Sequence, residues 1–528
     1  MTQTRIIFRT DYGTLQAASN VSTIVGAGGD LYDNILVHIP PVASDDFTAG
    51  PSGNSAAYNE TVTVTKPTQI LQGHGISTFI TYDGEDADTI TLDASDIWLM
   101  NMWVGNEDST GTYHAVRVAD QEAFLFGVEC DEAGDACIAL GDDTKNVIRC
   151  RVMGCTFQGT ASKTVPPQVI GIKHDSTTAG RNIMVANLGN GLQGGMVDDD
   201  GFANCYVGQL SLNGGGFSGS DYNFNGNFHF GSANYSFSGD ASFVHGGEHH
   251  VFSSSFSQAS SGNAFTITDN FCNIHGNSKD AGGDGFHIDG QLNNITGVVE
   301  GSDGEGVVLD GNTNLITAVS NSNGGAGFDV NSSGNVILGQ ASNNTGNALN
   351  IASGSFTENA VFGRYRSDSA AGSVWWVGTD SLFCGISTGT AFALRNSGNS
   401  LIGAFNDGLT TTASADDSLL VGHVAGASSL NSGSNLKMFT QYGEHKRIRA
   451  LTGDATLVLH DDYVTANTTS AGFTITLPSA SGNFTQGKEY RIKNTGTGGN
   501  NLTVQSTTFA DGETAVFVSN GSAWVDFS

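Results

Sequence analysis

The chain has 528 residues, with 72 Gly and only 7 Pro, and its 52 Asp and Glu against 21 Lys and Arg give a formal net charge of −31. Binding to a phosphate backbone requires a basic footprint, which this composition lacks, so we expect no nucleic-acid partner. The acidity has two candidate origins, a saline habitat in which carboxylates keep the surface hydrated or cation sites on the surface and between subunits, and the sequence does not separate them.

The first segment, residues 1–33, has a mixed composition and is too small to bury a core of its own. We expect it to be an attachment or capping segment, which would dock on other proteins if the chain belongs to a larger particle. Residues 1–5 lead into no apolar run of the signal-peptide type, and no stretch is long enough to span a bilayer. We therefore expect no export by the general secretory route and no membrane insertion.

The cysteines are odd in number and follow no metal-ligand spacing. We interpret them as small core hydrophobes rather than as a disulfide framework, and no motif in the chain calls for a cofactor. The seven positions are Cys130, Cys137, Cys150, Cys155, Cys205, Cys272 and Cys384.

Strand patterns begin at residue 34. An apolar strand ends in Pro40, and Tyr-x-Glu at 58–60, a valine strand, Lys-Pro at 66–67 and a Gly-x-Gly turn at 73–75 follow it. This order resembles the opening coils of pectin-methylesterase-like and pectate-lyase-like β-helices, and the resemblance covers roughly residues 33–160. It implies a right-handed parallel β-helix.

The esterase activity of that family is not expected here. Its Gln-Asp-Thr-Leu motif would fall near residues 134–137, where only Asp135 is retained. Its Asp-Phe-Ile-Phe-Gly signature should follow residues 150–157, but the chain continues into Lys163-Thr-Val-Pro-Pro. A nucleophilic carboxylate without its partner acid and oxyanion donor cannot hydrolyse an ester by that route.

A repeat of 21 residues organises the stretch from 264 to 351. The apolar pairs Phe286 and Ile288, Val307 and Leu309, Phe328 and Val330, and Leu349 and Ile351 recur at this interval. A second set of apolar positions recurs at the same interval and consists of Ile274, Ile295, Ile316 and Ile337. Period-two alternation at a fixed interval of about 20 residues is typical of a parallel β-helix, so each unit predicts one coil. The pairs should stack inside, while His287, Val308, Asp329 and Asn350 point outward.

Two acidic residues on the outer side of this repeat are weak candidates for catalysis. Asp289 and Asp310 are 21 residues apart and would lie on neighbouring coils, separated by about 4.8 Å. Glycosidases use two carboxylates about 5 to 9.5 Å apart, which such a pair can supply. A chain this acidic also places carboxylates together by chance, and the same holds for the three aspartates at 198–200.

The densest group of potential metal ligands consists of His245, Glu248, His249 and His250. These residues lack the His-Glu-x-x-His spacing that puts two imidazoles on one helical face, so we interpret the stretch as a solvated turn and predict no metal site. Residues 282–288 are superficially similar to a calcium-binding nonapeptide. His287 stands where that repeat needs Asp, however, and the period is 21 rather than nine.

Beyond the repeat, the adjacent residues Trp375 and Trp376 differ from the Gly/Asn-rich composition of the preceding stretch. Adjacent aromatic residues at the end of a solenoid suggest a cap, an inter-subunit contact or a receptor contact, because they supply large buried areas at edges. Residues 378–450 remain β-like and form a transition region, which carries the basic cluster at 446–449.

A distinct all-β module occupies residues 451–528. Its marks are Thr-Ile-Thr-Leu-Pro at 474–478, Gly-Lys-Glu-Tyr-Arg-Ile-Lys-Asn at 487–494, and Ser-Asn-Gly-Ser-Ala-Trp at 519–524. This pattern resembles the small β domain that recurs at the C-termini of bacteriophage tail fibres and tailspikes. The resemblance covers about 75 residues. It implies a role in receptor contact or trimer clamping, with Trp524 as a third candidate for glycan contact.

Together these patterns predict an all-β chain. We divide it into an N-terminal segment (1–33), a right-handed parallel β-helix of about 21 residues per coil (34–377), a transition region (378–450) and a small C-terminal antiparallel β-sandwich-like domain (451–528). The combination resembles a viral tailspike or tail fibre. The resemblance implies a homotrimer, displayed on the virion, whose N-terminal segment docks on tail or baseplate proteins.

The expected function is adhesion to a host-surface receptor, either a glycan or a protein. Two alternatives stay open on the same scaffold. One is a polysaccharide depolymerase, which would be a hydrolase or a lyase, and the other is a spike or decoration protein on the capsid. We expect adhesion rather than catalysis, because no constellation of residues in the repeat demands an enzyme.

Overall fold

The structure is a computed structural model. It describes residues 4–8, 14–20, 34–41, 58–82, 84, 86–106, 110–131, 133–141, 147–159, 169–174, 179–192, 194–211, 220–224, 229–238, 241–259, 262–351, 356–366, 375–376, 379–388, 392–394, 397–406, 409–411, 418–424, 429–430, 437–440, 443–445, 448–457, 461–480 and 487–528. Across these ranges, no helix has both the length and the hydrophobicity to cross a bilayer.

The elements are strands apart from one short helix. The first part of the chain forms β1 (Thr4–Phe8), α1 (Leu15–Ser19), β2 (Asn34–His38), β3 (Tyr58–Asn59), β4 (Val62–Val64), β5 (Gln69–Tyr82), β6 (Ile90–Leu92), β7 (Trp98–Asn106), β8 (Val116–Val118), β9 (Phe124–Asp131), β10 (Ala136–Leu140), β11 (Arg151–Met153), β12 (Thr156–Gln158), β13 (Ile170–His174), β14 (Ile183–Val185), β15 (Leu188–Asn190), β16 (Gly195–Asp199) and β17 (Cys205–Ser211).

The middle part forms β18 (Ser220–Phe224), β19 (Phe230–Ser238), β20 (Ala241–His245), β21 (Val251–Ala259), β22 (Phe265–Ile267), β23 (Asn273–Lys279), β24 (Phe286–Ile288), β25 (Asn294–Glu300), β26 (Val307–Leu309), β27 (Leu315–Asn321), β28 (Phe328–Val330), β29 (Val336–Ser342), β30 (Leu349–Ile351), β31 (Ala360–Arg366), β32 (Trp375–Trp376), β33 (Leu382–Thr388) and β34 (Phe392–Leu394).

The last part forms β35 (Ser400–Phe405), β36 (Leu409–Thr411), β37 (Leu419–Val424), β38 (Ser429–Leu430), β39 (Lys437–Thr440), β40 (Gly443–His445), β41 (Ile448–Leu451), β42 (Ala455–Thr456), β43 (Tyr463–Ala466), β44 (Phe473–Thr476), β45 (Glu489–Asn494), β46 (Leu502–Val504), β47 (Thr507–Phe509), β48 (Thr514–Ser519) and β49 (Trp524–Asp526).

The chain divides into two compact units, Met1–Gly378 with Cys384–Ala393 and Thr379–Phe383 with Leu394–Ser528. The first unit is a parallel β-solenoid, and the described chain makes about 13 turns of about 22 residues each. One sheet, the long-strand sheet, runs through β5, β7 and β9 to β23, β25, β27, β29 and β31. The other, the short-strand sheet, runs through β4, β6 and β8 to β24, β26, β28 and β30. The predicted fold class is confirmed.

The predicted interior ladders are also confirmed. Phe286, Val307, Phe328 and Leu349 pair in register across β24 to β30, as do Ile288, Leu309, Val330 and Ile351, and all eight are 0 % exposed. In the outward row, Val308 is only 6 % exposed. It lies between His287 and Asp329 in its column, so it points outward but is covered.

Glycines in the long-strand sheet make room for large rings of the short-strand sheet. A Cβ atom on Gly276 would lie 2.7 Å from the Phe265 ring, and one on Gly339 would lie 2.8 Å from the Phe328 ring. By register, the coil that carries the smaller Val307 has Ala318 at the glycine position. The two sheets are therefore matched residue by residue across the core.

Buried asparagines satisfy the backbone at one corner of several coils. The Oδ1 atom of Asn293 accepts the N–H of Cys272 at 2.7 Å, and Asn314 and Asn335 each accept the N–H of the preceding ladder residue at 2.8 Å. The residue before each ladder position has a left-handed backbone, as at Leu292 with φ 58°. This corner turns the Leu292 side chain outward, which explains its 48 % exposure.

Removing one ladder amide should be costly. We expect Asn314→Ala to lower the free energy of unfolding by about 1–3 kcal/mol, because the buried N–H of Asn293 loses its acceptor. The matched control is Asn294→Ala, which removes an exposed amide from the same sheet and should change the free energy by less than about 0.5 kcal/mol. Urea denaturation followed by circular dichroism measures both, and equal effects would contradict a ladder role.

Helix α1 covers the first strand of the short-strand sheet. The side-chain amide of Gln16 donates to Thr63 O at 3.0 Å and accepts the Thr63 N–H at 2.6 Å, so it pairs with β4 as a neighbouring strand would. The Glu60 carboxylate accepts the Leu15 N–H at 2.9 Å and thereby caps the helix. An edge that would otherwise pair with another chain is thus occupied.

The second unit starts with parallel strands and ends with antiparallel ones. β35, β37 and β39 pair in parallel, and β39 turns back antiparallel to β40. The C-terminal module consists of a five-stranded sheet, β41-β43-β45-β48-β49, and a four-stranded sheet, β42-β44-β46-β47. Its first pairings are parallel, and only the closing strands are antiparallel, so the predicted antiparallel sandwich is a mixed one. Its core includes Tyr490, Ile492 and Phe517.

The cysteines form no disulfide in the described structure. Five of them are buried, and Cys205 and Cys384 are half-buried. Burial raises the pKa of Cys150 and of Cys155 to about 12, which keeps both thiols protonated and unreactive. They behave as the core hydrophobes that the sequence predicts.

Candidate functional site

His287 lies at the centre of a group of carboxylates on the outer face of the short-strand sheet. It is the middle residue of β24, so its ring points away from the core. Its Nδ1 lies 2.9 Å from Asp284 Oδ2, and its Nε2 lies 3.3 Å from Asp289 Oδ1 and 3.5 Å from Asp310 Oδ2. We call these residues, with Glu305, the His287 cluster. The two predicted candidates Asp289 and Asp310 are thus brought together, with an imidazole facing both.

The cluster also contains a carboxylate pair from adjacent coils. Asp284 Oδ1 accepts the backbone N–H of Glu305 at 2.9 Å. Burial raises the pKa of Glu305, and its hydrogen bond to Asp284 raises it further. Burial would also raise the pKa of Asp284, but the hydrogen bonds from His287 and Glu305 outweigh it and lower that pKa. The bond to Asp284 raises the pKa of His287, so the imidazolium is stabilised.

This arrangement can move protons and can hold a cation. Glu305 has the raised pKa that a general acid needs, and Asp289 and Asp310 add carboxylates that face the same imidazole. Within the described ranges, His287, Asp289 and Asp310 are the group that could hold a metal ion, because one ligand atom from each lies within 4.8 Å of the others. Mixed imidazole and carboxylate ligands suit divalent transition metals.

A groove crosses the outer face of the long-strand sheet from β23 to β31. It has a volume of about 590 Å³ and is lined by two rows of outward residues with glycines between them. The first row runs His275, Thr296, Thr317, Leu338 and Phe362, and the second runs Asn277, Val298, Val319, Gln340 and Arg364. Val298, Val319 and Leu338 are about two-fifths exposed, so the floor presents carbon atoms and the polar side chains alternate with them.

An acid lies buried inside the solenoid between two histidines. Asp199, His174 and His229 are all 0 % exposed, and Asp199 lies 3.1 Å from His174 Nδ1 and 3.2 Å from His229 Nδ1. The carboxylate also accepts the Gly201 N–H at 2.8 Å, the Asn204 amide at 3.0 Å and the Tyr206 hydroxyl. Opposing the effect of burial, the two histidines and these hydrogen bonds hold the pKa of Asp199 well below its usual range.

Sequence reasoning alone does not identify this network, because three consecutive aspartates at 198–200 are expected by chance in so acidic a chain. Alternation on β16 offers a signal, since Val197 and Asp199 share the inward face while Asp198 points out. In the short-strand ladder, His174 and Asp199 take the inward position that Leu140 holds before them and Ile267 holds later. The described structure shows no hydrogen-bond partner for His174 Nε2 or His229 Nε2.

The remaining predicted site residues lie apart from these surfaces. Glu248 and His249 are exposed, with His249 stacked on Phe271 at 5.0 Å, whereas His250 is buried and its Nε2 accepts the Gly247 N–H. The side chain of His245 lies outside the described residues. Among the described residues, no metal-binding group forms at this turn.

The three tryptophans predicted as glycan contacts lie in different environments. Trp375 and Trp376 form β32, which pairs with β30, and their side chains lie outside the described residues. The Trp524 ring packs on Tyr490 at 4.9 Å, and its indole N–H donates to Pro478 O at 2.7 Å. Trp524 is therefore held against the core of the C-terminal module, and glycan contact by any of the three stays a prediction.

Comparison with known proteins gives no family. No protein-family model and no curated protein matches the sequence. Solved structures that it is similar to include the mannuronan C-5 epimerase AlgE6 A-module of Azotobacter vinelandii, with 14 % identity, 82 % of this chain and 97 % of that chain covered, and a TM-score of 0.21.

Two further solved structures are similar at the same level. One is ORF18 of Geobacillus virus E2, with 12 % identity, 72 % of this chain and 61 % of that chain covered, and a TM-score of 0.24. The other is a mannuronic acid specific polysaccharide family 6 lyase from the human gut microbiota, with 9 % identity, 91 % and 88 % covered, and a TM-score of 0.22. TM-scores this low carry no conclusion about activity, and the solenoid rests on its own strand pairings.

Proposed function

We propose that the protein is a virion attachment protein, a tailspike or tail fibre, that binds a host-surface glycan along the groove of the long-strand sheet. The groove carries this proposal, because it presents a repeating surface over five consecutive strands. The C-terminal module, whose sequence resembles those of phage tail fibres, supports the placement on a virus particle. The stiff solenoid would hold the groove away from the particle.

The groove suits a polymer of sugars. Adjacent coils lie about 4.8 Å apart, so the four coil steps of the groove span about 19 Å. One coil step is close to the length of one hexose unit, so the groove can match one sugar to each coil. Sugar rings present C–H groups on their faces and hydroxyl groups at their edges. The valines and Leu338 can contact the faces, while Asn277, Thr296, Thr317 and Gln340 can hydrogen-bond the edges.

Charge favours a neutral glycan over an acidic one. Arg364, at one end, is the sole Lys or Arg among the residues that line the groove. The chain as a whole carries −31, so a polyanion would be repelled along its length. We therefore expect uncharged hexose polymers to bind more tightly than uronic acid polymers.

The test is a printed array of neutral and acidic oligosaccharides probed with wild type and Leu338→Asp. We expect wild type to bind neutral oligosaccharides of four or more sugars, and the variant to bind at least tenfold more weakly, about 1.4 kcal/mol, because a carboxylate replaces an apolar contact. Val251→Asp is the matched control, since Val251 is 48 % exposed on the same sheet and does not line the groove. Binding that is absent in wild type or unchanged by Leu338→Asp would overturn the site.

A second candidate function, glycan cleavage, is favoured by the His287 cluster. Burial raises the pKa of Glu305, as a general acid needs, and Asp289 and Asp310 supply two further carboxylates in the same cluster. His287 also faces both aspartates, which leaves less room for a sugar between them. Light scattering of a bound polysaccharide over time distinguishes the two functions, since adhesion leaves the polymer size unchanged and a depolymerase reduces it.

A further inference from the structure

The long-strand sheet bears a second exposed surface, far along the chain from the groove. Two outward rows run across β7, β9, β11, β14 and β17, two residues apart on the same face. The rows are Trp98, Phe124, Arg151, Ile183 and Cys205, and Met100, Phe126, Met153, Val185 and Val207. Trp98, Phe126, Ile183 and Val207 are 42, 41, 39 and 45 % exposed. We call this surface the apolar face.

The fold does not require apolar residues at these positions. The first row continues in register through Phe230 and Val251 into Asn273 and Asn294, and the second row corresponds to His275 and Thr296 on the same strands. The same side of the same sheet thus carries polar residues at some equivalent positions later in the chain, together with apolar ones such as Leu315. Contiguous exposed apolar residues mark interaction sites more often than chance, so the apolar face calls for a partner.

The charge on this face is unusual for the chain. Arg151 is the only charged residue in the two rows, and Arg181 lies beside it, two residues before Ile183. Both arginines are exposed, and neither has an acidic partner in the described part of the chain, whereas Arg149 pairs with Glu122 at 2.7 Å. A face that is apolar with unpaired arginines attracts an acidic surface.

We propose that the apolar face packs against a second copy of this chain. Each copy carries −31, so copies repel one another over most of their surfaces, and this face, whose two rows contain no acidic residue and which carries two arginines, is where they can approach. Packing there would bury Trp98 and Phe126 and give Arg151 and Arg181 carboxylates of the neighbouring copy. The contact goes beyond glycan binding and does not depend on it.

A glycan is a poorer occupant of the same face. The Trp98 ring meets Phe124 edge-on at 4.9 Å, and Phe124 stacks on Phe126 at 6.2 Å, so the rings pack on one another. Apart from Arg151, the Trp98 indole N–H and the Cys205 thiol, the two rows offer no conventional side-chain hydrogen-bonding group for sugar hydroxyls. Apolar area with an arginine rim is typical of protein interfaces.

Light scattering of the full chain after size-exclusion chromatography tests the proposal. We expect wild type at micromolar concentration to have a mass that is a multiple of 54.7 kDa, three chains being the number that the sequence predicts. Phe126→Asp and Ile183→Asp each place a carboxylate on the apolar face and should weaken self-association at least a hundredfold, giving the mass of one chain. Two variants are used so that a folding failure in one leaves the other, with circular dichroism as the check.

Leu338→Asp is the matched control, because Leu338 is 43 % exposed on the same sheet, and it should leave the mass unchanged. A monomeric wild type, or multimers that persist in both folded apolar-face variants, would overturn the proposal. If Leu338→Asp also reduced the molar mass to that of one chain, the contact would not be specific to the apolar face, and the proposal would equally be overturned. Glycan binding is read separately on the array, so either proposal can fail alone.

Discussion

An Asp199→Asn variant should lose about 3–5 kcal/mol of the free energy of unfolding of the coils around it, which is the usual cost of removing one partner from a buried charge network. Asparagine keeps the volume of the side chain but not its charge. His174 and Tyr206 would then face a neutral amide, although both are fully buried and cannot turn to water.

The neighbouring residue supplies the control for this variant. Asp200 is exposed, and Asp200→Asn should change the free energy of unfolding by less than about 0.5 kcal/mol. Hydrogen exchange of peptides from β13, β16 and β18, read by mass spectrometry, reports the loss locally, and urea denaturation reports it for the unit. A loss below about 1 kcal/mol in Asp199→Asn would mean that the buried charge does not stabilise these coils.

Acid should weaken the same coils. The folded-state pKa of Asp199 is below its unfolded value, so its stabilising contribution is present above the ordinary aspartate range and is lost as the pH falls. Burial lowers the pKa of His229, so the unfolded chain takes up this proton first and stability already declines below about pH 6.5. The raised pKa of His287 acts in the opposite sense, because its contribution is lost as the pH rises.

The repeat itself suggests how to remove the decline that begins near neutral pH. His229 occupies the corner position that Asn204 and Asn293 occupy in other coils, so His229→Asn restores the ladder residue and removes the titrating group. We expect this variant to lose the decline in stability that begins below about pH 6.5, measured as the melting temperature at successive pH values. A wild-type slope retained in the variant would assign the dependence to another histidine.

The regular part of the solenoid could be predicted from the sequence because its coils have one length. Where the interval is 21 residues, a single strand fixes the register of its neighbours, and Phe286, Ile288 and Ile295 lie where the pattern puts them. In the earlier coils the interval changes, because Leu140 pairs with His174, 34 residues later, whereas His174 pairs with Asp199, 25 residues later. Without a constant interval, the inward position of Asp199 does not follow from spacing.

The candidate surfaces were predictable to different degrees. Asp289 and Asp310 stand out because they repeat with the strands, and the structure brings them together at His287. Asp284 and Glu305 precede their strands, where turn geometry decides which way a side chain points, so their contact could not be read from the sequence. The groove follows once the register is known, since Thr296 and Thr317 flank the predicted isoleucine track.

The match between the two sheets predicts an energetic coupling between Phe328 and Gly339. Gly339→Ala places a Cβ atom 2.8 Å from the Phe328 ring and 3.1 Å from the Tyr365 hydroxyl, and overpacking of this kind costs about 1–3 kcal/mol. Alanine is otherwise the better strand residue, so a penalty comes from these close contacts, of which the Phe328 ring is the nearest. Gly453→Ala is the control, because a Cβ atom there has nothing within 4 Å.

The preceding coil suggests a second substitution, Phe328→Val, that should compensate for Gly339→Ala. Phe328→Val alone should cost about 2–4 kcal/mol, somewhat less than truncation to alanine, because it leaves space beside Gly339. The double variant recreates the Val307 and Ala318 combination that the chain already uses one coil earlier. It should therefore cost about 1–3 kcal/mol less than the sum of the two single variants, measured by urea denaturation of all four proteins. Additive costs would mean that each sheet tolerates its residues independently, whereas coupling would show that a ring and the space opposite it specify each coil together.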